Sequence, residues 1–295
     1  MDEIAATTDA FLGGRLHLQQ PAAGHRAGTD AVLLAASVRA DATGLAIDAG
    51  AGAGAAGLAA ALAVPALRVA LLEREPDLAA LARANIAANQ LQDRAFALEA
   101  DLLSADSCRA ARLEAQSADL ILTNPPFLSA EAVRVSPDPD RASAHVIGPD
   151  GLQAWVRACL RLLRPGGTFL MIHRADALHE ALQALSPQAG AIVVLPIHPR
   201  ADQPASRILV RAQKGRRTPL TLAPPLVLHE SDGTFTAKAE ALHRGAARIE
   251  WNALSRAQGY ALVDQSPEKP AWEARVSRTA FTRARYGRPK NTRSK

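Results

Sequence analysis

Asn124-Pro125-Pro126-Phe127 is the run of this 295-residue chain whose residue types come nearest to doing chemistry. Two adjacent prolines refuse both helix and ladder pairing, so they fix a rigid turn with outward-facing carbonyls. An exocyclic amine conjugated to a ring or a carbonyl is a poor nucleophile, because its lone pair is delocalised. The Asn124 side-chain oxygen and the Pro125 carbonyl can accept its two N–H groups together, which favours a pyramidal nitrogen over the planar ground state. Phe127 offers a face on which a substrate ring can stack. Such a site works by positioning and requires no metal, cysteine nucleophile or strong base.

A second constellation is Asp48-Ala49-Gly50-Ala51-Gly52-Ala53-Gly54, followed by Glu73 and Asp101. Glycines at 50, 52 and 54 let the backbone turn tightly and approach a nucleotide-like cofactor. Gly52-Ala53-Gly54-Ala55-Ala56-Gly57 also spells the dinucleotide fingerprint, with an acid about twenty residues on at Glu73. Asp48 weighs between the two, since its carboxylate repels a pyrophosphate and favours the ammonium and sulfonium of S-adenosyl-L-methionine. The loop is therefore read as a site for that methyl donor, with a nicotinamide cofactor as the other option. Glu73 is expected to accept from both ribose hydroxyls and Asp101 from an adenine amine.

The elements that must position these residues follow from hydrophobic patterning. Short β-rich runs at 44–48, 67–73, 95–99, 118–123, 168–173, 191–196 and 207–212 alternate with helical stretches at 30–38, 54–63, 76–89, 151–163 and 175–184. That order predicts an α/β fold with a seven-stranded, mainly parallel, Rossmann-like sheet and helices on both faces. No helix fits between the last two strands, so they should close the sheet as an antiparallel hairpin. The acids and motifs then fall at successive carboxyl ends of strands, where such sheets bind ligands.

Four segments are expected. Residues 1–40 form an N-terminal extension and lid helix, with a turn at Gln20-Pro21. Residues 41–213 form the catalytic sheet, 214–251 a strand-helix appendage, and 252–295 a basic tail. The tail holds ten Lys/Arg against three Asp/Glu, although the whole chain carries only +5. Trp272, Phe281 and Tyr286 lie there among Arg275, Arg278, Arg283, Arg285 and Arg288, a mixture suited to nucleic acid. Arg141 and His145 lie in the long loop after Phe127, where a substrate lid is expected. Residues 49–67 are uncharged, yet their four glycines and one proline argue against a membrane helix. Two cysteines allow neither a disulfide framework nor a four-ligand metal site, and a cytoplasmic setting is expected.

DAGAGAG at 48–54, Glu73, Asp101 and NPPF at 124–127 resemble, in order and spacing, the class I S-adenosylmethionine-dependent methyltransferases that act on planar amines. FLGGRLHLQQPAAGHRAGTDAVLLAAS before the first strand and DGTFTAKAEALHRGAARI at 232–249 are similar to the bacterial tRNA adenine-N6 methyltransferases. The resemblance covers about residues 7–250, as an alignment of motifs rather than of the tail. It implies that 48–54, Glu73 and Asp101 hold the methyl donor, that Thr29 and Asp30 close over its methionine end, and that Asn124, Pro125 and Phe127 hold an adenine of tRNA. The family more often has Tyr where this chain has Phe127, so stacking is kept and a phenol hydrogen bond is lost. Glutamine-nitrogen methylation of a protein, a cofactor-binding RNA module without catalysis, and a nicotinamide oxidoreductase stay open beside it.

Overall fold

The computed structural model describes residues 5–23, 26–126, 128–129, 146–147 and 151–251. Its central sheet contains all seven expected strands. They are β3 (Gly44–Ala49), β4 (Leu67–Glu73), β5 (Ala95–Glu99), β6 (Ala118–Thr123), β9 (Leu163–Arg174), β10 (Ala189–His198) and β11 (Arg207–Lys214), while the two-residue strands β7 (Leu128–Ser129) and β8 (Val146–Ile147) pair only with each other among the described residues. The strand order is β10-β11-β9-β6-β3-β4-β5, with β11 antiparallel to both neighbours and the other pairs parallel. The sheet nevertheless has nine strands rather than seven. Two-residue strands β12 (Thr221–Leu222) and β13 (Leu226–Val227) pair with the free edge of β10. They are too short to carry an alternating signal, and they cover an edge that would otherwise be open.

Central strands such as β4 are apolar on both faces, because helices cover both. On one face lie α1 (Thr29–Ala36) and α2 (Ala55–Ala63), both joined to the core cluster containing Leu33, Leu58 and Trp251. On the other lie α4 (Ala105–Ala110), α5 (Gly151–Leu162) and α6 (Leu178–Leu185), with Cys108, Trp155, Cys159 and Leu185 in a second cluster. The uncharged run of 49–67 becomes the glycine loop and α2, a helix apolar all round because it is buried all round. No described helix is long and apolar enough to cross a membrane. Helix α4 escapes the apolar pattern. Its sequence signal is the cap, since the Ser104 hydroxyl accepts from the Ser107 N–H.

The N-terminal extension holds regular structure ahead of α1. β1 (Ala6–Phe11) and β2 (Leu16–Pro21) form an antiparallel hairpin, and Gln20-Pro21 ends a strand instead of turning. Leu16, Leu18 and Gln20 face inward in strict alternation. The hairpin docks on α3 (Pro76–Ala88), where Asn85 and the flanking Asn89 lie one turn apart. Each amide behaves as a strand partner. Asn85 accepts from Gln19 N–H at 2.7 Å and donates to its carbonyl at 2.9 Å, and Asn89 does the same for His17 at 2.9 and 2.7 Å. At the other terminus, α7 (Ala237–His243) and the segment to Trp251 fasten onto α1. Trp251 Nε1 donates to the Ser37 carbonyl, Ile249 N–H to that of Ala36, and Arg248 to those of Val38 and Ala63.

Candidate functional site

Connections leave β3 and β6 in opposite directions, and their carboxyl ends form the crevice where ligands bind in open parallel sheets. Ala49 and Thr123 are register partners there, and the buried Thr123 hydroxyl donates to the Ala49 carbonyl at 2.9 Å. The glycine loop leaves β3 on one side of this bond and Asn124 leaves β6 on the other. Trp155 of α5 donates its indole N–H to the same Thr123 oxygen at 2.8 Å. This Trp-Thr-carbonyl chain locks the two motifs together, and sequence reading assigned neither side chain to the site.

Loop geometry explains its glycines individually. Gly50, Gly52 and Gly54 all have positive φ. A Cβ on Gly50 would sit 2.9 Å from the Trp155 ring and one on Gly54 would sit 2.7 Å from Leu71, whereas one on Gly52 would meet nothing within 4 Å. Gly50 and Gly54 are thus required by packing, while Gly52 presents bare backbone to open space. The N–H groups of Gly50 and Ala51 both donate to the Leu72 carbonyl, pinning the loop to β4. Asn85 also reaches it, donating to the Ala53 carbonyl at 2.9 Å.

Among the acids, Glu73 bonds the loop from β4. Its Oε2 accepts from Gly52 N–H at 2.8 Å, and its Oε1 accepts from the N–H groups of Arg74 and Glu75. Asp48 is 2% exposed, with Oδ2 accepting from Gly57 N–H in the first turn of α2 at 2.7 Å. Burial pushes its carboxyl up to about 7, opposed by that hydrogen bond and assisted by the charge of Glu73. It anchors α2 to the strand end and carries only part of a charge at neutral pH. Asp101 follows β5, its Oδ1 accepting from Leu103 N–H and its own N–H donating to the Ser107 hydroxyl. Thr29 and Asp30 open α1 and are tied to other elements, Thr29 by a 3.0 Å bond to His243 of α7 and Asp30 by a 3.0 Å ion pair to Arg207 of β11.

Asn124 is different. Its Oδ1 is buried and has no hydrogen-bond partner among the described residues, while Pro125 beside it is buried as well. Leaving such an acceptor unmet costs about 1–3 kcal/mol, so a donor is expected from outside the fold. His173, at the carboxyl end of neighbouring β9, is 5% exposed, and burial pushes its imidazole down to about 4, aided by Arg174. It is neutral at physiological pH. Phe127, Arg141 and His145 lie outside the described residues, as does the tail. Among the described residues no three His, Cys, Asp or Glu side chains could share a metal ion.

The loop and acceptor fit a cofactor of the expected kind: Gly52 offers open backbone, Glu73 an adjoining carboxylate, and Asn124 an unmet acceptor across the crevice. Residues 25–187 match the sequence profile of the methyltransferase small domain. The chain is 33% identical over 177 residues to the tRNA1(Val) (adenine(37)-N6)-methyltransferase of Porphyromonas gingivalis, covering 59% of this chain and 68% of that one. It is 28% identical to the enzyme of the same name from Aeromonas hydrophila, over 77% and 92% of the two chains. A release factor glutamine methyltransferase from Caulobacter vibrioides is 31% identical over 50% of this chain and 51% of its own. Among solved structures, Atu636 of Agrobacterium tumefaciens, described as a predicted O-methyltransferase, aligns with TM-score 0.63 at 31% identity, over 75% of this chain and 98% of that one.

Proposed function

Since this chain belongs to the methyltransferase small-domain family and its cofactor is S-adenosyl-L-methionine, we propose that it methylates the exocyclic N6 amine of an adenine in RNA, with tRNA as the substrate class. The observation that carries this reading is the buried Oδ1 of Asn124, which has no partner among the described residues. An acceptor that cannot donate selects an N–H-bearing substrate atom over a hydroxylate, and with the Pro125 carbonyl it can take both protons of a planar NH2. When bound, the cofactor supplies an electrophilic methyl carbon on a cationic sulfur. The chain's own groups hold the partners. Gly52 and the loop backbone allow close approach, Glu73 accepts from the ribose, Asp101 from the adenine of the cofactor, and Thr29 and Asp30 border the methionine end. Asp48 contributes through α2 and the loop it anchors. Phe127 stacks on the target base, and Arg141 and His145 contact the nucleic acid.

Relatives named for tRNA adenine methylation support the substrate class, as does the basic composition of residues 252–295. A cytoplasmic location accords with that substrate and with two buried free thiols. The similarity to a glutamine methyltransferase keeps a protein amide as the second reading, because the same acceptor pair suits that planar amine.

Tritiated methyl donor incubated with bulk tRNA or with release factors, each from cells lacking the gene, separates the two. Label in tRNA as N6-methyladenosine is expected. Label only in release factor would transfer the assignment to glutamine, and label in neither would favour a cofactor-binding RNA module. Calorimetry should show binding of S-adenosylhomocysteine and none of NAD.

A further inference from the structure

A cavity of about 300 Å3 opens at the edge of the sheet opposite the glycine loop, lined by the amino ends of β3, β6 and β9 and the carboxyl end of β11. Its base includes Ser37, Leu120, Leu170 and Trp251, all buried. Arg211 projects from β11 into this region, in register with Leu170 of β9 and Val193 of β10. Both register partners of this guanidinium are aliphatic. Its Nε is buried without a hydrogen-bond partner, and no described residue forms an ion pair with it.

The other charges around the cavity are already matched. Arg39 forms a two-pronged pair with Asp41, and Arg164 pairs with Asp119 at 2.5 Å. Glu250 lies outside the lining and acts on Arg39. Burial, joined by the charge of Arg39, another cation, pushes the Arg211 guanidinium down from the ordinary value. Arginine cannot shed its proton to escape, and a half-buried charge without a counterion is costly. Among the described residues one positive charge is therefore left over. Thr43, Thr168 and Gln213 add hydroxyl and amide donors around the same space.

We propose that this cavity is a phosphate-binding site, in which the Arg211 fork grips one singly charged phosphate at the amino edge of the sheet. A phosphodiester or a phosphate monoanion carries the one negative charge the cavity lacks, and guanidinium matches its oxygens bidentately. The site is separate from the methyl-transfer crevice and does not depend on which substrate is methylated.

Thermal unfolding in inorganic phosphate against chloride of equal ionic strength tests it. The wild-type transition should rise by about 3 °C in phosphate. Arg211→Met should abolish the rise while being at least as stable as wild type in chloride, because it removes a half-buried charge with no counterion among the described residues. Arg211→Lys should keep part of the rise, and exposed Arg216→Met all of it. No phosphate effect on wild type, or an equal effect on Arg211→Met, overturns the proposal. Bulk tRNA binding then identifies the source. A salt slope lower by about 0.9 in Arg211→Met assigns the site to the RNA backbone, and an unchanged slope with the phosphate effect intact assigns it to free phosphate.

Discussion

Asp48 and His173 are buried titrating groups whose effects on stability oppose each other. The Asp48 carboxyl is raised by burial from 3.8 to about 7, so between those values the folded chain keeps a proton that the unfolded chain has lost. Its contribution is fully present below pH 4 and is lost as pH rises to 7, by on the order of 4 kcal/mol. The His173 imidazole is lowered by burial from 6.5 to about 4, so folding there excludes a proton the unfolded chain holds. Its contribution grows from pH 4 to 6.5, by on the order of 3 kcal/mol. Urea unfolding across pH 4–7 should therefore give a nearly level wild-type curve. Asp48→Asn should make stability climb with pH, and His173→Gln should make it fall; variants that merely parallel wild type would contradict both shifts. The types and places of the acids were legible from strand ends and spacing. The direction Asp48 faces was not, because its partner, Gly57 N–H, exists only once α2 has formed.

Among elements, the glycine loop depends on two helices that its own sequence does not mention. Trp155 arrives from α5 and fixes Gly50, while Asn85 arrives from α3 and fixes Ala53. Gly52→Ala should cost only the left-handed strain of about 1–2 kcal/mol, and Gly50→Ala clearly more, since its Cβ also meets the Trp155 ring; equal chemical-denaturation losses would refute that division. Asn85→Ala strips both main-chain bonds from Gln19 and one from the loop. It should cost on the order of 3 kcal/mol and weaken cofactor affinity in calorimetry, with Asn89→Ala milder because its bonds are exposed. Two asparagines at helical spacing in an alanine-rich helix were the available signal for this docking. They read only as part of the helix at 76–89 because their partner, β2, is recognisable only as an inward-facing alternation of Leu16, Leu18 and Gln20. Inner strands such as β3, β4 and β6 were legible for the opposite reason: burial on both faces writes itself as continuous apolar runs.

At the scale of the whole molecule, the chain closes on itself through Arg248, Ile249 and Trp251, which bond the carbonyls ending α1 and α2. Trp251 is 2% exposed, and Trp251→Ala should cost about 3–5 kcal/mol in denaturant titration. Removing residues 252–295 should leave the thermal transition in place while weakening RNA binding and flattening its salt dependence; an unchanged salt slope would deny the tail that role. Composition made the tail's charge legible, whereas the closure at 248–251 was not, because it is made of main-chain carbonyls that carry no residue signature. The central claim concerns Asn124, and its most direct measurement is nucleoside analysis of undermodified tRNA after incubation with methyl donor and either wild type or Asn124→Ala. The account predicts N6-methyladenosine with wild type, formed about a hundredfold more slowly by the variant at unchanged cofactor affinity. Equal rates, or a methyl group found on an oxygen, would contradict it.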